Sequence, residues 1–199
     1  MVQLKDLKKV KRLLINIDMV NGFMNCGAMA DKGIAKIIES QIELIERCKS
    51  EDDYLIFVKE GHKEESAEFA KFPKHCIKGS VEAEIVDELK CYENEDGKNV
   101  YEKNSTSAIF AKDFLSDVAK MINLEEVVLM GCCTDICVLN LAIPLANYFD
   151  EINKKIKMVV PKNVVETYDS ETHKRDEYNQ IAFKLMKQAG IEVIDKYEK

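Results

Sequence analysis

Val127-Val-Leu-Met130-Gly131-Cys-Cys-Thr-Asp-Ile-Cys137-Val138 starts as four apolar residues and passes, with no polar linker, into a helical pattern running from Ile136 to Tyr148. The apolar run is near-continuous rather than alternating, as expected of a strand buried on both faces of a parallel sheet. A strand feeding directly into a helix is half of a βαβ unit. Working outward, the same kind of run recurs at Leu13–Ile17, Tyr54–Val58, Ile156–Val160 and Ile191–Ile194, with a weaker one at Asn99–Glu102. Between them lie helical stripes: Ile34, Ile37, Ile38, Ile42 and Ile45; then Phe110, Phe114, Val118, Met121 and Ile122; then Tyr178, Ile181, Ala182, Leu185, Met186 and Ala189, stopped by Gly190. The Ile136–Tyr148 helix is apolar nearly all round and is expected to be buried. The rhythm predicts one α/β domain over residues 1–199, doubly wound, with a mainly parallel six-stranded sheet and helices on both faces.

Composition narrows the function. The chain has 199 residues, 46% hydrophobic and 33% charged, with 8 glycines and 3 prolines, which excludes disordered and collagen-like classes. The net charge of −7 argues against a general nucleic-acid binder or a partner of anionic membranes. The basic N-terminal stretch leads into Leu13–Ile17, which Asp18 breaks at once, so neither a signal-peptide core nor a membrane span is read. The expectation is a cytoplasmic protein with reduced cysteines. Seven is an odd number that cannot all pair within one chain.

In doubly wound folds chemistry collects beyond the carboxyl ends of the strands. Asp18 directly follows the first strand; partial desolvation suits it to act as a general base, although a turn-capping aspartate is the plainer alternative. Cys137, at the start of a helix, is the best nucleophile candidate, because the macrodipole and unpaired backbone N–H groups favour thiolate and can hold an oxyanion. Cys132 and Cys133 precede that helix and read as structural. Cys133 and Cys137 are spaced C-x-x-x-C, which weakens a redox reading. Lys103, at the end of the weak strand, could hold a thiolate or developing anion; on its own it reads equally as a solvated lysine. Glu60 and His62, two apart in an extended strand end, face one side. With His75 they form a two-histidine, one-carboxylate set suited to Zn²⁺, Mn²⁺ or Fe²⁺, against the alternative of two surface histidines. His173 sits among charged residues and reads as a solvated face residue.

Together these residues resemble the isochorismatase-like cysteine hydrolases. Asp18-Met-Val-Asn-Gly-Phe23 is similar to the family's D-x-Q-x-x-F opening, Lys103 with Ser107-Ala-Ile-Phe110 to its lysine segment, and Gly131-Cys-Cys-Thr-Asp-Ile-Cys137-Val138 to its G-x-x-T-D-x-C-V nucleophile loop. His62 and Phe72-Pro-Lys-His75-Cys-Ile-Lys-Gly-Ser80 resemble the metal-binding stretches of the nicotinamidases within that family. The resemblance spans roughly residues 13–195 and implies a Rossmann-like fold and an Asp18–Lys103–Cys137 triad. It further implies an oxyanion hole from the backbone N–H groups of Cys133 and Cys137, a cis peptide at Cys132–Cys133, and Phe23 against a flat substrate. The implied activity is metal-dependent hydrolysis of nicotinamide to nicotinate and ammonia through a thioester, feeding NAD salvage. The implied metal is a divalent ion, Zn²⁺ first and Mn²⁺ or Fe²⁺ next, on Glu60, His62 and His75. Glu68, seven residues before His75, is a further candidate ligand, ahead of Glu64 and Glu65.

The chain also departs from the pattern. Glu60 stands where the family has aspartate, Gly61 and Phe72 where it has tryptophan, and Asn21 where it has glutamine. The Gly61 substitution is expected to open the pocket. An alternative therefore keeps the triad but acts on another small amide, carbamoyl compound or ureide. A non-catalytic thiol or metal-binding role is the remaining class. The expected partner is a small-molecule amide, with no nucleic acid and no membrane; a homo-oligomer is left open.

Overall fold

In the computed structural model, which describes residues 6–198, the apolar runs become parallel strands. They are β1 (Arg12–Ile17), β2 (Asp53–Glu60), β3 (Val100–Lys103), β4 (Glu126–Cys132), β5 (Lys157–Pro161), β6 (Val165–Glu166) and β7 (Glu192–Ile194). The order is β3-β2-β1-β4-β5-β7, and β6 pairs with β4 beyond the end of β5. All strand pairs are parallel. The sheet thus has seven strands rather than six. The additional one, β6, is two residues long, too short to show a periodicity.

Among the described residues six α-helices accompany the sheet: α1 (Asn21–Met24), α2 (Ile38–Arg47), α3 (Asp87–Lys90), α4 (Phe114–Lys120), α5 (Leu139–Glu151) and α6 (Arg175–Gln188). Strand residues alternate between two cores. Leu13, Ile15 and Ile17 of β1 pack with Phe114 of α4, Leu145 of α5 and Phe183 of α6. Leu14, Phe57 and Met130 pack with Phe23 of α1, Leu44 of α2 and Leu89 of α3. Side chains on successive strand residues point to opposite faces, so a strand apolar at every position needs a helical layer on each side. Burying each such Leu, Ile or Phe stabilises the fold by about 1.5–3 kcal/mol. Among the described residues no helix is long and apolar enough to cross a membrane.

Three expectations are corrected. The Phe110–Ile122 stripe is not one helix: α4 covers only its middle, and Phe110 and Ile122 are 80% and 59% exposed. In the α6 stripe, Ile181 and Leu185 lie 42% and 41% exposed. The helix after β4 begins as a π-helical turn, Thr134–Val138, before α5, and only one face of α5 is fully buried, through Leu141, Ala142, Leu145 and Phe149. Periodicity marks where a helix is apolar, but the neighbours decide how much of that apolar face is covered. Near the C-terminus the described tail is anchored: Tyr197 is buried and its hydroxyl donates to Glu126 at 2.5 Å.

Where β1 and β4 end, the backbones crowd. Gly131 has φ 125°, and a Cβ placed on it would stand 2.0 Å from the Ile17 carbonyl oxygen. Only glycine combines that dihedral with that approach. The close contact brings the segments after β1 and β4 side by side. Asp18, with φ 54°, bonds its N–H to the Val58 carbonyl at 2.8 Å and turns its side chain into the space between them.

Candidate active site

Three strand ends deliver one ionisable group each. Asp18 follows β1, Lys103 closes β3, and Cys137 lies in the π-helical turn after β4. Lys103 Nζ is 2.8 Å from Asp18 Oδ2 and 3.7 Å from Cys137 Sγ. All three side chains are buried. An oxygen of Asp18, an oxygen of Glu60 and the sulfur of Cys137 lie within 4.8 Å of one another. Lys103 pairs with one Asp18 oxygen, and the Cys137 sulfur stands within reach of the same carboxylate. The peptide between Cys132 and Cys133 is cis.

The electrostatics follow from burial. Desolvation raises the Asp18 carboxyl, Lys103 pulls it back, and it settles at about 6. Burial works against the charge on Lys103, but Asp18, Cys137 and Glu60 hold its pKa well above the ordinary lysine value. Burial pushes the Cys137 thiol well up, more than Lys103 pulls it down. The helix-start argument favoured a resting thiolate; in the folded site desolvation outweighs it. The resting pair is a thiol beside a carboxyl whose pKa lies near neutrality.

The second cluster adjoins the first. Glu60, the last residue of β2, places Oε2 3.0 Å from His62 Nε2 and 2.8 Å from His75 Nε2, and Oε1 2.8 Å from Lys103 Nζ. Burial opposes its charge, yet Lys103 and the two imidazoles keep its pKa well below the carboxylate range. Glu68 completes a group of four whose ligand atoms lie within 4.8 Å of one another. Each imidazole is oriented from behind: His62 Nδ1 meets Asn104 Oδ1 at 3.2 Å, and His75 Nδ1 meets the Pro73 carbonyl at 2.7 Å. With Nδ1 facing an oxygen acceptor, Nε2 is the ligand atom, as is usual for metal-binding histidines. The donor set therefore fits a divalent cation. Asn104 went unread in the sequence, although it directly follows Lys103.

A cavity of about 320 Å³ opens over both clusters. Cys133, Cys137, Glu60 and Glu68 line it, Phe23 and Tyr168 add aromatic walls, and Asp31 and Asp169 are also in its lining. The Phe23 ring lies 5.6 Å from that of His75. Gly61 does not open this cavity. A Cβ on it would meet Glu102 at 3.4–3.7 Å, away from the lining, because residue 61 alternates against 60 and 62.

His173 is not a solvated residue. It is buried, its Nε2 bonds Asp135 Oδ2 at 2.8 Å, and its ring lies stacked on both Tyr168 and Tyr178. Its charged sequence neighbours concealed partners that are 38 and 5 residues away in the chain.

Comparison with known proteins agrees with this layout. A family model described as the isochorismatase domain matches residues 12–198. The Bacillus subtilis (strain 168) isochorismatase family protein PncA is 32% identical over 173 residues, covering 82% of this chain and 91% of that protein. Nicotinamidase 1 of Arabidopsis thaliana is 30% identical over 138 residues, which span 63% of this chain and 56% of the plant protein. The crystal structure of the pyrazinamidase/nicotinamidase of Streptococcus mutans UA159 superposes with a TM-score of 0.77 at 26% identity, over 92% of this chain and all of that one. With its strand order, its strand-end residues and a family match over nearly its whole length, the chain belongs to the isochorismatase family of hydrolases.

Proposed function

We propose that the chain is a cysteine amidohydrolase of nicotinamidase type, converting nicotinamide to nicotinate and ammonia, with residues 1–199 acting as one hydrolase domain in the cytoplasm. The observation that carries the reading is the cavity. Cys137, two of the candidate ligands, Glu60 and Glu68, and the aromatic ring of Phe23 all line it. Its lining includes four carboxylates, Asp31, Glu60, Glu68 and Asp169, and no basic side chain among the described residues. Asp31 is paired with Arg175 and Glu60 with Lys103, so these carboxylates are compensated, and the aromatic and aliphatic walls, Phe23, Phe72, Ile136 and Tyr168, suit a flat, neutral amide. Its volume is at the small end of ligand pockets, which suits a single-ring amide.

The chemistry uses the residues in sequence. As Cys137 Sγ attacks the amide carbonyl carbon, Asp18 takes the thiol proton. Lys103 holds the thiolate character that develops and keeps Asp18 oriented. The carbonyl oxygen becomes an oxyanion held by the backbone N–H groups of Cys133 and Cys137. Asp18 then returns its proton to the amide nitrogen, the C–N bond breaks, and ammonia leaves a thioester. Water attacks the thioester, giving up a proton to Asp18, and nicotinate departs while Cys137 regains a proton. Phe23 fixes the plane of the ring. Glu60, His62 and His75, with Glu68 beside them, would hold a divalent ion, which would supply Lewis-acid polarisation at the site. Zn²⁺ is our first assignment on the N₂O donor set.

The test is ammonia release by metal-loaded protein over a panel of nicotinamide, pyrazinamide and carboxylate-bearing ureides, with Cys137→Ala as control. Release from the neutral ring amides, lost in the variant, supports the proposal. Release only from the anionic compounds, or none, overturns it.

A further inference from the structure

The segment between β6 and α6 joins parts of the site that the proposed chemistry leaves unexplained. His173 lies at its centre, 6% exposed. Its ring is sandwiched between Tyr168, at 3.9 Å and 9°, and Tyr178, at 3.7 Å and 27°. Both ring nitrogens face acceptors: Asp135 Oδ2 at 2.8 Å and the Tyr168 carbonyl at 3.1 Å. The second oxygen of Asp135 receives the Thr167 hydroxyl at 2.5 Å. Asp135 lies two residues before Cys137 in the same π-helical turn, and Tyr168 forms part of the cavity wall.

We propose that His173 is a positioning residue that holds the Cys137 turn and the Tyr168 wall of the cavity in register. Burying an imidazole and a carboxylate is unfavourable unless each satisfies the other. Here the pair crosses from the segment before α6 to the turn after β4. The contact acts in two separable ways. The bond to Asp135 fixes the turn that carries the nucleophile, and the stack on Tyr168 fixes the wall a flat substrate meets. Within the segment the Asp169 N–H bonds Asp31 at 2.9 Å, and Arg175, the first residue of α6, bonds the Thr167 carbonyl at 2.8 Å and Asp31 at 2.5 Å, so the segment is also tied to Asp31 in the cavity lining.

Two variants separate the roles. His173→Phe keeps a ring between the tyrosines and removes the bond to Asp135. His173→Gln keeps an N–H for Asp135 and removes the stack. The kinetic arm rests on the nicotinamidase reading: the Phe variant is expected to lower kcat about tenfold with KM within about twofold, and the Gln variant to raise KM with kcat nearly kept. A second arm needs no substrate. The rate of Cys137 alkylation by iodoacetamide, read by mass spectrometry, is expected to change by about threefold or more in the Phe variant and to return to within about twofold of wild type in the Gln variant. Wild-type alkylation rates in both variants overturn the proposal. So does a fall of every parameter in step with the folded fraction seen by circular dichroism, which marks a purely structural residue. If wild type releases no ammonia, the substrate reading fails and the alkylation arm still decides the role of His173.

Discussion

Lys103 Nζ lies 2.8 Å from Oε1 of Glu60, and the other oxygen of that same carboxylate takes both imidazoles. Glu60 therefore bridges two sets of residues that the chain supplies separately: the candidate ligands and the nucleophile with its partners. Lys103 in turn stands between Glu60 and Asp18, each at 2.8 Å. One buried cation compensates two buried carboxylates. Removing Lys103 would leave both carboxylates without their counter-charge in the interior.

Lys103→Met is accordingly expected to destabilise the fold by about 3–5 kcal/mol, since it strips the counter-charge from Asp18 and Glu60 together. Urea unfolding followed by circular dichroism measures this. A loss below about 1 kcal/mol would show that the lysine does not compensate the pair.

The pH profile should carry the signature of Asp18. As the proposed base it would work as carboxylate, and its pKa is about 6 because burial raises it more than Lys103 lowers it. As pH falls through that value the carboxylate is lost, so kcat/KM should drop about tenfold per pH unit on the acid side and level off above it. Asp18→Asn should lower kcat/KM by about 10²–10⁴ and erase the acid limb. A limb that persists unchanged in Asp18→Asn assigns it to another group.

Metal content should follow Glu60, His62 and His75. Wild type is expected to hold one divalent ion per chain by elemental analysis, while His62→Ala and His75→Ala should lose it. Because an ion that binds only the folded state stabilises by mass action, chelation should also lower Tm. Full metal content in both histidine variants would move the site elsewhere.

Gly131→Ala should fail to fold or lose more than about 3 kcal/mol, since a Cβ would stand 2.0 Å from the Ile17 carbonyl at a φ of 125° that L side chains rarely adopt. Thermal unfolding of the purified variant, with Gly97→Ala for comparison, checks this. Gly97 also has a positive φ, 65°, but nothing lies within 4 Å of its would-be Cβ, so its cost should be the smaller.

Much of this was legible in order along the chain. Apolar runs without alternation marked strands buried on two faces, and the ionisable residues at or just past their ends, Asp18, Glu60 and Lys103, are the ones found together. His173 was misread because a buried side chain among charged neighbours looks like a surface one until its distant partners are known. Gly61 was misread because which side of a strand end a residue faces is fixed by pairing: its N–H bonds the Lys103 carbonyl, and a side chain there would point at Glu102. The exposed Phe110 shows the same limit: a helical stripe records apolarity, and burial requires a neighbour to cover it.

By itself the sequence determined the layer architecture and which strand ends carry reactive groups, because periodicity and abrupt polar breaks are local properties of a chain. Only the tertiary structure decided the electrical state of those groups. A helix start alone would favour a Cys137 thiolate; desolvation, which depends on everything packed around the sulfur, keeps the thiol. Glu60 could be read as a ligand from its spacing to His62, but its grip on Lys103 exists only because β2 pairs with β3 in the register that sets residue 60 opposite residue 103.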